Sequence, residues 1–230
     1  MLGPPVNEDA REYLAQRVRP SVWDATRAAA LQSARPVLCV DTGMQRFACP
    51  ADQIDAVLKA GHCDEAFTHA TSPERVDQFL ELVGSSGLKL HAAGSSLLDE
   101  PRARLDAVRP GMAIYRGAAR VSARLIEARD THGPAGYSGF SAKRHGVIVA
   151  GYSNGLRPGP CLVNGHPSRI VEVGMQSSFV ELQPDDCAGD EVVLLGDGLS
   201  ESQVATEWKT SPQEVLMRLC GSGMRTYVER

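Results

Sequence analysis

The residues with chemical potential fall in short clusters: positions 41–46 ending in Arg46, His69, positions 91–95 from His91 to Ser95, and Arg109 with Gly111. Each follows a short apolar run, so each stands where a strand would end. In a β/α barrel the carboxyl ends of the strands share one rim, and groups distant in sequence converge there on one pocket. Taken singly, the signals stay open. His69 reads either as a satisfied structural histidine or as a catalytic one. The Gly94, Ser95, Ser96 turn reads either as a helix cap or as a phosphate seat made of backbone N–H groups and a hydroxyl.

Positions 20–116 carry the alternation of apolar runs and amphipathic stretches expected of consecutive parallel strand and helix units. Strands are predicted to end at Val22 and to span 36–40, 66–69, 89–93 and 107–115. Helices are predicted at 24–32, at 51–60 behind Pro50, and at 72–83, with a mostly helical stretch at 99–105. The 72–83 helix has Pro73 in its first turn, Glu74 near the positive end of its dipole, and Val76, Phe79, Leu80 and Val83 on one stripe. Beyond Arg116 the texture changes to short β-rich runs at 121–128, 144–152, 160–163, 169–173, 178–182 and 190–195, the pattern of a compact all-β domain. A helix at 211–220, capped by Ser211, and a last strand at 226–228 complete the reading. The expected domains are therefore 1–116 and 117–230.

The 230 residues carry 24 Lys plus Arg against 28 Asp plus Glu, a net charge of -4, so no broad cationic surface is available for nucleic acid. No apolar run approaches the roughly 20 residues that span a bilayer. The first residues lack the basic start and apolar stretch of a signal peptide, which makes a cytoplasmic location the expectation. Six cysteines are scattered without a CxxC pair and read as buried free thiols.

Taken together, the segments resemble the alanine racemase family, whose members use pyridoxal 5'-phosphate to interconvert L- and D-alanine. The resemblance lies in Val40-Asp-Thr-Gly-Met-Gln-Arg46, Thr68-His-Ala70, His91-Ala-Ala-Gly-Ser95, Val108-Arg-Pro-Gly111 with Tyr115, Gly136-Tyr137, Gly151-Tyr-Ser-Asn-Gly155, Val163-Asn-Gly165 and Arg225-Thr-Tyr227. It implies an α/β architecture: a (β/α)8 TIM barrel, here partial and lacking its first two β/α units, followed by an all-β C-terminal domain, working as a head-to-tail dimer.

The resemblance also implies roles. Arg46 would reach the cofactor's phenolic oxygen and the substrate side, and His69 would lie in or beside the ring wall. His91 would support the phosphate side, with Ser95 and the Gly111 backbone binding the phosphate. Arg109 would face the pyridine nitrogen. Because a guanidinium stays protonated, the ring nitrogen would be kept unprotonated and the cofactor a weak electron sink, which suits proton removal and return without transamination. Tyr137 would be the acid/base on one face of the α-carbon, supplied by the partner subunit. Tyr152 would hold the phosphate across the same interface, and the Met175 backbone would bind the substrate carboxylate.

Two-base racemisation also needs the lysine that forms the Schiff base, which the family carries on its first barrel strand. None of Lys59, Lys89, Lys143 and Lys209 matches that place. Residues 1–4 resemble the end of the family's third strand, so the expectation is an N-terminally truncated chain, inactive on its own. Such a chain would self-associate or be completed by a complementary or full-length racemase chain. The alternative is a non-catalytic relative that serves as a binding or assembly partner of a full-length racemase. Departures from the family at the pocket point the same way: Cys39 replaces a common lysine, Gly94 an asparagine, Asn154 and Gln176 aspartates, and Gly221 lies near a family tyrosine.

Overall fold

The computed structural model describes residues 3–228. They form two compact units, divided between Ala113 and Ile114.

The first unit opens with α1 (Ala10–Ala15), whose cap Asp9 accepts from the Arg11 backbone N–H. It continues as β1 (Ser21–Val22), α2 (Ala25–Ala30), β2 (Val37–Cys39), α3 (Ile54–Gly61), β3 (Glu65–Phe67), α4 (Pro73–Val83) and β4 (Lys89–His91). The strands pair in parallel in the order β1-β2-β3-β4. Parallel neighbours need a crossover, and each crossover here is helical. Asp24 caps α2 through the Arg27 backbone N–H, and Pro73 starts α4 where its missing N–H costs nothing. One face of the sheet, with Val22, Leu38, Ala66 and Leu90, packs against the helices, while Val37, Cys39 and Phe67 form a smaller apolar cluster on the other. Leu31, Leu38, Val57, Val76, Phe79 and Val83 form the fully buried centre of this core.

The second unit is a closed antiparallel barrel, β10-β5-β6-β9-β8-β7, made of β5 (Val121–Asp130), β6 (Arg144–Ile148), β7 (Gly159–Val163), β8 (His166–Val173), β9 (Ser178–Glu181) and β10 (Glu191–Leu195). Closure of β10 on β7 leaves no free sheet edge. Leu125, Ile148, Ile170 and Leu195 fill its interior. Two helices pack on this core through Val204, Trp208, Val215 and Leu219: α6 (Glu201–Trp208), with a Ser200/Gln203 capping box, and α7 (Pro212–Leu219), capped by Ser211.

Several expectations need correction. Residues 107–115 are not a strand: Arg109 makes one bridge to Gly94, Pro110 has no N–H to continue a ladder, and Gly111–Tyr115 turns into the short helix α5. Residues 226–228 are exposed and unpaired rather than a strand. The 99–105 stretch yields only a single 3-10 turn, Pro101–Ala103, and β6 stops at Ile148 because the chain turns at Tyr152–Asn154. Within residues 1–4, Met1 and Leu2 lie outside the described residues. Gly3 is irregular, its carbonyl accepting from the Ser21 hydroxyl at 2.7 Å.

Candidate active site

The first unit gathers its polar groups at the carboxyl ends of β2, β3 and β4. Cys39, Val40, Met44, Arg46, Phe67, His69 and Arg109 line a cleft of about 60 Å³ there. The loop after β2 is held rigidly. Asp41 Oδ1 accepts from the Gly43 and Gln45 N–H groups at 2.7 and 3.0 Å, and the buried Thr42 hydroxyl meets that of Thr68 at 2.8 Å. Gln45 and Phe47 both adopt left-handed backbone, at φ 51° each, so Arg46 is presented between two residues in conformations that side chains disfavour. Arg46 itself is exposed.

Arg109 is the centre of the arrangement. Its Nη2 donates to the carbonyls of Thr68 (2.6 Å) and Ala92 (3.1 Å), its Nη1 donates to His91 Nδ1 (3.2 Å), and its guanidinium lies 4.9 Å from the centre of the Phe67 ring. No carboxylate pairs with it among the described residues, and burial lowers its pKa. A half-buried cation satisfied only by neutral groups leaves the cleft attractive to an anion.

Because Arg109 can only donate, His91 must accept at Nδ1 and donate from Nε2, which lies 2.9 Å from Glu65 Oε1. Glu65 in turn receives Arg19 Nη1 at 2.6 Å. Burial first and Arg109 second hold the His91 pKa below its ordinary 6.5, with Glu65 opposing them. Partial burial, then Arg109 and Arg46, lower that of His69. Burial pushes the Cys39 thiol up to about 12, so it stays neutral and is no nucleophile.

A pH dependence follows. The unfolded chain protonates this histidine before the folded one does. The stability it contributes is therefore complete above 6.5 and declines as the pH falls below 6.5 through the lowered folded pKa. Denaturant titrations from pH 7.5 to 5 should fall more steeply for the wild type than for His91→Gln. That difference is needed because His166, whose pKa Asp186 raises, contributes with the opposite sign: its stability is full below 6.5 and is lost as pH rises.

Past β4, the Ser95 hydroxyl accepts from the Ala113 N–H at 3.1 Å, and a Cβ at Gly111 would come 3.9 Å from Ser95 Oγ. Ser95 and Gly111 therefore face each other across a narrow gap closed by the Gly94 to Arg109 bridge.

The remaining expected site residues belong to the second unit. Tyr137 is 96% exposed at the tip of the β5–β6 connection. Tyr152 begins a turn that is stitched to Gly174 and Met175: the Tyr152 N–H donates to the Gly174 carbonyl (2.9 Å), and the Ser153 N–H and hydroxyl donate to the Met175 carbonyl (3.1 and 2.7 Å). The Met175 carbonyl is thus engaged by Ser153.

Sequence reasoning missed Glu65 and Glu172. Glu65 orients His91. Glu172 is the other acid on an otherwise apolar stretch, 170–173, and an acid alternating into a barrel wall is the signal that would have marked it. All four lysines are exposed: Lys59 ends α3, Lys89 stands at the amino end of β4, and Lys143 and Lys209 lie in the second unit. None lines the cleft. Among the described residues no cluster of His, Cys, Asp and Glu could hold a metal ion, and no helix is long and apolar enough to cross a membrane.

Residues 133–227 match the family model described as alanine racemase, C-terminal domain. The alanine racemase of Aeromonas hydrophila is 30% identical, over 83% of this chain and 66% of its own length. The biosynthetic alanine racemase of Salmonella typhimurium is 29% identical, over 94% of this chain and 75% of its own. The crystal structure of biosynthetic alanine racemase from Pseudomonas aeruginosa superposes with a TM-score of 0.79 at 26% identity, covering 91% of this chain and 74% of that one. Similarity in sequence, in the matched second unit and in fold thus converges on one assignment: the chain belongs to the alanine racemase family.

Proposed function

We propose that this chain is an alanine racemase-like protein that holds pyridoxal phosphate and a small amino acid but does not turn alanine over by itself. In this reading β1–β4 are consecutive strands of a TIM barrel, residues 1–116, and residues 117–230 are the β domain that contributes to a dimer. The donor set of the first unit fits the cofactor's ring and phosphate. Arg109, a half-buried cation with no acid partner among the described residues, suits an unprotonated ring nitrogen, and the Ser95 hydroxyl offers a hydrogen bond to phosphate, whereas the Gly111 N–H, which donates to the Arg109 carbonyl at 3.0 Å, would have to turn from it to join. His91 keeps Arg109 in place, Arg46 covers the substrate side, and His69 flanks the ring.

Bound there, pyridoxal phosphate would withdraw electrons from the substrate's α-carbon and make its proton removable. Supplied across a dimer interface by the second unit of a partner subunit, Tyr137 would move that proton on one face and Tyr152 would support the phosphate, while the Met175 backbone would meet the substrate carboxylate. The observation that carries the reading of inactivity is the placement of every lysine outside the cleft, so no lysine of this chain attaches the cofactor or serves as second base.

The test is to purify the 230-residue chain and measure pyridoxal phosphate binding, borohydride trapping and alanine racemisation on one preparation. Saturable binding without trapping or turnover is expected. Turnover by the isolated chain, or stoichiometric trapping on any of the four lysines, overturns it. Adding a lysine-bearing racemase chain whose own acid/base tyrosine is changed to phenylalanine should then restore racemisation.

A second reading, a non-catalytic assembly partner, draws on the exposed Ile126, Tyr137, Val149, Tyr152 and Met175 of the second unit. It predicts association with a full-length racemase and no restored activity in the mixing experiment.

A further inference from the structure

We propose that Glu172 is the positioning residue of Tyr137: one carboxylate, set in the wall of the second unit's barrel, binds two successive backbone N–H groups and so fixes the tip that carries the phenol. The inference rests on the reading of Tyr137 as the acid/base.

Glu172 lies on β8 and is 8% exposed. Its Oε1 accepts from the Tyr137 N–H at 2.8 Å and its Oε2 from the Ser138 N–H at 2.6 Å. No arginine or lysine shares it among the described residues, so both oxygens are committed to the tip. Gly136 makes this possible. At φ 66° it takes the left-handed conformation that aims the next two N–H groups at one point, a small anion-binding nest. A Cβ at Gly136 would stand 2.5 Å from Glu172 Oε1, so the backbone approaches the carboxylate as closely as glycine alone allows.

The base of the same connection is fastened separately. Thr131 Oγ1 meets His145 Nδ1 at 2.7 Å, the Ala135 N–H donates to the Phe140 carbonyl at 3.1 Å, and Phe140 packs on His145 and Phe179 with ring centres 5.6 and 5.2 Å away. These contacts hold the two legs and leave residues 136–138 to Glu172. Hydrogen bonds from Ser138 and from the two N–H groups lower the Glu172 pKa, so the carboxylate is ionised and accepting throughout the neutral range.

A glutamine at this position has one accepting oxygen, and its NH2 would face an N–H donor. The Glu172→Gln variant therefore loses one bond and sets donor against donor at the other. Gly136→Ala attacks the same contact from the loop side.

The experiment uses the full chain, with amide exchange and amide proton shifts followed by NMR in wild type, Glu172→Gln and Gly136→Ala. Loss of a charge-assisted bond should speed exchange of the Tyr137 and Ser138 amides by at least about tenfold in both variants, with β5, β6 and β8 amides unchanged. In wild type the two amide shifts should titrate together below the ordinary glutamate range, and in Glu172→Gln that titration should vanish, which a purely steric role would not produce. Unchanged exchange at both amides, or no shared titration in wild type, overturns the proposal. The Tyr137 reading is scored separately, in the mixture with the lysine-bearing racemase chain. There, an unaffected rate in Tyr137→Phe defeats the acid/base role while the amide result stands. A kcat lowered at constant KM in Glu172→Gln joins the two.

Discussion

Replacing Arg109 with methionine is expected to weaken pyridoxal phosphate binding by about 10- to 100-fold, the worth of one charge-assisted hydrogen bond. It should change the stability of the first unit far less. Methionine follows a similar path beside Phe67 but leaves the Thr68 and Ala92 carbonyls and His91 Nδ1 without this donor. Orphaned acceptors cost about 1–3 kcal/mol each when sealed from water. Two factors reduce that cost here: the site opens to solvent, and the substitution removes a desolvated cation that no acid compensates. The net destabilisation should therefore be about 1–2 kcal/mol rather than the sum of three losses. Lysine does not rescue, since an ammonium cannot span the two carbonyls and the imidazole as a planar fork does. The His91 pKa should also rise, because Arg109, an influence that lowers it, is gone while burial remains. Binding titrations, denaturant melts and imidazole NMR read these effects separately. Wild-type affinity in the methionine variant would remove Arg109 from the cofactor site.

The largest structural effect is expected from Gly151→Ala. Gly151 has ordinary extended backbone, φ -142° and ψ -164°, which alanine adopts freely. The added methyl would nonetheless collide with the Gly174 and Met175 carbonyl oxygens and stand 2.5 Å from the Met175 carbonyl carbon. All three are backbone atoms, so no rotamer change relieves the clash. The turn at Tyr152 must lift away, breaking its bonds to Gly174 and Met175. Overpacking of this kind costs about 3 kcal/mol. Gly165→Ala is the matched control. Nothing lies within 4 Å of its added carbon, but its φ of 84° imposes a backbone penalty of about 1–2 kcal/mol. Equal losses in the two variants would mean that the Tyr152 and Met175 segments are not clasped as described.

Much of this was legible in the sequence, and the failures have physical causes. Asp24, Pro73 and Ser211 announce helix starts because their side chains or rings satisfy local backbone requirements, and the short apolar runs from 36 to 93 became strands. Arg46 and His69, which follow β2 and β3 as placed, share one cleft with Arg109, which an isolated bridge to Gly94 rather than a strand brings there. The 107–115 segment failed because Val108, Met112 and Ile114 mimic alternation, whereas Pro110 and a following helix decide the backbone. Helix α6 was overlooked although Ser200 and Gln203 spell its capping box. Glu65 and Glu172 could not be assigned partners, since their contacts span 26 and 35 residues of chain and depend on strand register that no local pattern encodes.

The outward placement of the four lysines has a practical corollary. Coupling through lysine side chains, whether to a resin, a dye or a cross-linker, uses Lys59, Lys89, Lys143 and Lys209, none of which lines the guanidinium-lined cleft. The chain can thus be tethered to a sensor surface through these four lysines with its ligand chemistry preserved.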